Sequence, residues 1–445
     1  MQQSFAMERD PTPQPLEIHR TAAQKLLNSL ANSGNELFAS FSYERPGDIL
    51  GMKSGGANVF AKSRNLTNAL LHLRSHGAPY LRDLSLDSVR QLATDFLQIA
   101  WADVVEGSEF DPGTKPIGSC ITPEALERVA SKLSRSPLFE PVQHVMLFPL
   151  GSVFIRTQFN GESFSFAREF ELHAHLAEIG ALPPQLNPKR FPPFEDPLIK
   201  SSRVFYWLRV SAPHPLIARK RAAAIMAALS LSTTRRARYS FGSQAPQLGH
   251  CRVQSDQVSV TPYAAPLTPP LSNDLLISES DLPSLAILDK HLTEPESRAL
   301  IGALEYFHRA WFGEPRERFP LLCMALDALV CVESGHTSAA VKYVMDTLDT
   351  PINQARITTL MNLRGAVIHG AAPDVYESRF YSSYYSSYNE DPISDLELVV
   401  AACLRKAVFG GALAVRDPHA SLILHHQNQG NLPKNLEMDA IIYDS

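Results

Sequence analysis

The sequence predicts an α+β amino-terminal region followed by an all-α helical bundle, and three observations carry that expectation. Strand-like and helix-like stretches mix up to about residue 241. The last third reads as successive helices without a convincing strand. A Pro-, Ser- and Thr-rich stretch, 242–290, lies between them as a linker or crossover. At 445 residues the chain is long enough for two or three domains, each with its own core.

In chain order, residues 1–15 are polar and proline-rich and are expected to be a flexible N-terminus, and a first amphipathic helix begins at Leu16 and stops at Gly34. Helical periodicity recurs at 84–103 and 122–134. In the second stretch Thr122 is an N-cap, Pro123 suits the first helical position, and Glu124 and Glu127 complement the positive helix end. Strands are expected at 143–159, broken by a turn at 149–151, at 162–167 and at 202–211. The region 16–241 is thus an α+β sensor or recognition region of unstated ligand. After the linker, helices are expected at about 294–312, 319–333, 337–348, 353–369 and 394–415, a bundle over 291–418 followed by a tail, 419–445.

Composition narrows the function. Hydrophobic residues are 44% and charged residues 20% of the chain, which fits a globular protein. Lys plus Arg is 41 against 46 Asp plus Glu, so the net charge of −5 excludes a chain-wide basic field for duplex binding. Neither GxGxxG nor GxxxxGK[ST] occurs, so no nucleotide loop can be named. The five cysteines are few, odd in number and widely spaced, which argues for a reducing compartment. The start lacks the basic and apolar runs of a signal peptide, and no apolar stretch of membrane length occurs. A cytoplasmic location without membrane partners is expected.

One basic island stands out: Arg219, Lys220, Arg221, Arg235, Arg236 and Arg238 occur with no acid between them. Contact with an RNA backbone and a solvated helix face both fit it. His173 and His175 lack a third ligand at metal spacing, so no metal site is expected.

The constellation with chemical content is Arg364 and His369, near the end of a helix that Gly370 and Pro373 terminate. Five residues separate them by about 7.5 Å along the axis and about 140° around it, so both side chains reach one groove. A histidine can take the proton of a ribose 2′ hydroxyl or give one to a 5′ oxygen, and an arginine can stabilise the phosphoryl charge between. Two copies facing each other would supply both an acid and a base. In the other reading, Arg364 pairs with an acid at a helix junction and His369 merely ends the helix.

The helices 296–312 and 319–333, the element LRGAVIHG (363–370) and the helix 395–413 together resemble the HEPN superfamily, in particular its ApeA-like bacterial defence group. The resemblance covers about 120 of the 445 residues. It implies a dimerising helical bundle and, in active members, a metal-independent endoribonuclease that leaves 2′,3′-cyclic phosphate ends and requires no cofactor. Arg364 and His369 fall on the motif positions. Gly365 stands where a polar residue is common, with Asn362 nearby as a supporting side chain, and Asp327 is the matching acid on the preceding helix, able to orient Arg364 or His369 or else to face solvent or an interface. Tyr384 and Tyr385, in a Tyr/Ser run expected to be a loop, could stack on unpaired bases or pack a dimer interface, the other reading being a loop packed against its own bundle. Single-stranded RNA, a second copy and an activating ligand or partner protein are the expected partners. The competing class is a non-catalytic dimerising scaffold or ligand-sensing protein.

Overall fold

The computed structural model describes residues 15–31, 38–43, 55–61, 63–105, 118, 121–151, 153–168, 171, 206–233, 249–254, 257–261, 264–268, 275–331, 336–348, 353–416 and 420–431. The chain divides into two compact units, Met1–Gln143 and His144–Ser445.

The first unit is built from α1 (Pro15–Ser29), β1 (Leu30–Ala31), β2 (Phe38–Tyr43), β3 (Gly55–Ala61), α2 (Ser63–His76), α3 (Leu86–Val105) and α4 (Pro123–Ser134). Its three strands form an antiparallel sheet in the order β1-β3-β2. The start of α4 follows the capping chemistry expected of it: the Thr122 hydroxyl accepts from the Ala125 N–H at 3.1 Å, with Pro123 opening the helix. The apolar faces of α1, α2 and α4 meet over a core that includes Leu26, Leu70 and Val129. α1 ends at Ser29 and passes directly into β1, five residues short of the expected stop.

The second unit joins a sheet to a helical bundle. It begins with β4 (His144–Leu150), β5 (Val153–Ile155), β6 (Phe164–Arg168), β7 (Tyr206–Ala212) and α5 (Pro215–Ser230). Next come β8 (His250–Gln254), β9 (Gln257–Thr261) and β10 (Leu275–Ile277). The antiparallel order is β6-β7-β4-β8-β9, and β5 pairs with β10 in parallel. Every residue of the central strand β4 is buried, which is why it reads as a continuous apolar run. α5 is alanine-rich, and the small side chains of Ala222, Ala223, Ala224, Ala227 and Ala228 let it lie against β4 and β7 while packing on the bundle.

The stretch expected to be a linker, 242–290, therefore supplies β8 and β9 to the sheet. Those strands are five residues each, with His250, Cys251 and Val253 buried and Ser259 and Val260 exposed, a pattern too short and too mixed to stand out from its Ser/Thr-rich surroundings. The boundary between the two units lies at 143/144 rather than within that stretch.

The remaining helices are α6 (Leu282–Thr293), α7 (Arg298–Ala310), α8 (Pro315–Val330), α9 (His336–Thr347), α10 (Gln354–Ile368), α11 (Arg379–Tyr388), α12 (Pro392–Phe409) and α13 (Ala420–Asn428). Phe307, Phe319, Leu326, Leu360, Leu396 and Val400 are fully buried among them. α6 is fastened to the sheet by Asp289, whose carboxylate accepts the backbone N–H groups of Glu162, Ser163 and Phe164 at 2.7, 2.9 and 3.3 Å. Gly161 makes room for it, since a Cβ there would lie 2.5 Å from the Asp289 carboxyl carbon. The whole is an α+β protein, and among the described residues no helix is long and apolar enough to cross a membrane.

Candidate active site

The site is built on α10. The Asn353 side chain caps its start, accepting from the Arg356 N–H at 3.0 Å. Its end is set by Gly370, whose φ of +72° is a conformation that a side chain disfavours. His369 is the C-cap, its N–H bonded to the Gly365 carbonyl at 3.1 Å, and its ring is exposed.

Arg364 is held against α8. Its side chain is only 5% exposed, and Nη2 and Nε donate to the same Asp327 oxygen at 2.5 and 3.2 Å. Nη1 donates to no described residue. The pair sits against Cys323, whose thiol burial pushes far above its ordinary range and so keeps it protonated and unreactive.

Arg364 and His369 line one open groove of about 700 Å³ between α9 and α10. Its other wall comes from α9, with Ser338, Lys342 and Asp346, and Gln354 lies on the α10 side. The arrangement places an exposed imidazole and a partner-held guanidinium on one solvent-filled space of ligand size. Among the described residues no three His, Cys, Asp or Glu side chains gather to hold a metal.

Other expected residues fall elsewhere. Asn362 is exposed and about 200° around α10 from Arg364, outside the groove lining. Tyr384 is fully buried and cannot stack on a base: its hydroxyl bonds Asp395 and accepts from Arg356 Nε at 2.8 Å, and Arg356 also pairs with Asp395. Burial foremost, then the Asp395 charge, drives the Tyr384 pKa far above normal. Its neighbour Tyr385 is 52% exposed. The run that holds both is the helix α11, not a loop, anchored through Tyr384.

The basic island is divided. Arg219 donates from Nη2 to His250 Nε2 at 2.7 Å, Arg221 donates to the Ser211 carbonyl at 2.7 Å, and Lys220 lies between them in sequence, in the second turn of α5. Arg235, Arg236 and Arg238, like His173 and His175, lie outside the described residues. Sequence reading missed Lys342, Asp346 and Gln354. The four-residue spacing of 338, 342 and 346 was the available signal, but only packing shows which groove that stripe faces.

No family model, curated protein or solved structure matches the chain.

Proposed function

We propose that the protein is a metal-independent endoribonuclease of the HEPN type, acting through Arg364 and His369 in a cytoplasmic bacterial defence or toxin-like role. The observation that carries the reading is their convergence on one groove, with Asp327 holding the arginine from behind. In the reaction, an imidazole takes the ribose 2′ proton and the 2′ oxygen attacks the adjacent phosphorus. The bond to the 5′ oxygen breaks, and that oxygen takes a proton from a second acid. The products carry a 2′,3′-cyclic phosphate and a 5′ hydroxyl. Arg364 stabilises the charge gathering on the non-bridging oxygens, and Asp327 is its positioning residue. Base and acid cannot be one imidazole in one step, so His369 of a second copy supplies the other proton. Exposed Met324 on α8 and Ile368 beside His369 offer apolar surface next to the site for that copy.

A non-catalytic dimerising scaffold is favoured by one observation, the near-complete burial of Arg364 on its Asp327 partner. Overexpression in a bacterial host separates the two. The ribonuclease reading expects toxicity from the unaltered protein that His369→Ala removes while the variant stays folded; toxicity that persists in the folded variant refutes it.

A further inference from the structure

The groove extends well beyond Arg364 and His369. α9 and α10 pack together across a short connection, so they run antiparallel, and Asp346 and Gln354 lie at the connection end while Ser338 faces the catalytic end. Along α9, Lys342 is about 6 Å from Ser338 and Asp346 about 12 Å; along α10, Gln354 is about 15 Å from Arg364. A strand stretched to roughly twice its 3.4 Å stacked rise covers that distance in about two nucleotide steps.

Lys342 and Asp346 are exposed and four residues apart, yet neither has an ion-pair partner among the described residues. Lysine ahead of an acid is the poorer orientation for such a pair along a helix. Both charges are therefore presented to whatever occupies the groove. A carboxylate repels phosphates, so Asp346 suits a base edge rather than the backbone. Only guanine offers a carboxylate two adjacent donors, N1–H and the N2 amine, and the Gln354 amide can donate to its O6.

We infer, resting on the ribonuclease reading for the register of the strand, that the groove holds single-stranded RNA. Lys342 grips the phosphate next to the scissile one, and Asp346 with Gln354 reads a guanine about two nucleotides away. Phosphate contact sets position and the carboxylate sets sequence.

The test is binding by full-length His369→Ala protein, which needs no turnover, to fluorescent oligouridylates carrying one guanosine, inosine or adenosine. The guanosine strand should bind about tenfold more tightly than the adenosine strand, with inosine between because it lacks the N2 amine. Asp346→Asn should erase the guanosine preference. Lys342→Gln should weaken all three strands alike and lower the salt slope by about 0.7. Both positions are exposed, and unchanged melting confirms folding of each variant. Equal binding of the three strands, a preference that survives Asp346→Asn, or no RNA binding at all overturns the inference. Guanosine-dependent binding by a protein that never cleaves RNA sinks the ribonuclease reading alone, whereas cleavage without base preference sinks only this one.

Discussion

Asp327 and Arg364 show how one ion pair can serve both stability and chemistry. Arg364 is nearly buried, so Asp327→Ala strands a guanidinium out of water and should cost about 2–4 kcal/mol in denaturant unfolding. Cleavage should fall as well, because the arginine loses its aim. His369 is exposed and, among the described residues, bonded only through its backbone, so His369→Ala should abolish cleavage yet shift stability by no more than about 0.5 kcal/mol. A large loss of stability in that variant would assign the ring a structural role. The pairing of Arg364 with an acid on a preceding helix was legible because Asp327 is the one acid embedded in the apolar run 319–330. Packing of the Tyr384 run against its own bundle was among the readings, but not which residues would hold it, since the partners Arg356 and Asp395 come from separate helices and meet only in the folded protein.

Among the elements, α10 depends on its last turn. A Cβ at Gly370 meets nothing, so Gly370→Ala pays only for φ at +72°, about 1 kcal/mol, and should fray the turn that holds His369. Turnover should drop several-fold with the melting temperature only slightly lowered; unchanged turnover would separate the cap from the site. The Asp289 clasp gives a second case. Asp289→Ala leaves the Glu162, Ser163 and Phe164 amides without their acceptor and should destabilise the second unit by about 1–3 kcal/mol in chemical denaturation. Boundaries with a cap written into them, as at Thr122-Pro123, were readable in advance. α11 was not, because Tyr and Ser are indifferent helix formers and its helix is fixed by the Tyr384 anchor.

Across the molecule, the second unit carries His144 on β4, His250 on β8 and His308 on α7. All three are pushed down to about 4, chiefly by burial. Arg252 and His214 add to the effect at His144 and Arg219 at His250, while at His308 the bond to the Leu267 carbonyl opposes it. Unfolded histidine binds its proton near pH 6.5, so between pH 6.5 and 4 the unfolded chain holds more protons. The stabilisation is complete above 6.5 and is lost as the pH falls toward 4. Melting temperature should decline steadily over that window, and His308→Gln, which keeps a donor for Leu267, should flatten part of the decline. A melting temperature constant from pH 7 to 4.5 would contradict this. The α+β character of the chain was visible in its periodicities. The grouping of the sheet with the bundle was not, because α5 joins them through small alanines that leave no amphipathic signature.

The central claim is that Arg364 and His369 cleave RNA without a metal. Purified protein incubated with end-labelled single-stranded RNA in EDTA, beside folded His369→Ala, tests it most directly. The account predicts fragments ending in 2′,3′-cyclic phosphate and beginning with a 5′ hydroxyl, made by the unaltered protein alone. Cleavage that needs a divalent cation, or that His369→Ala performs equally well, would contradict it.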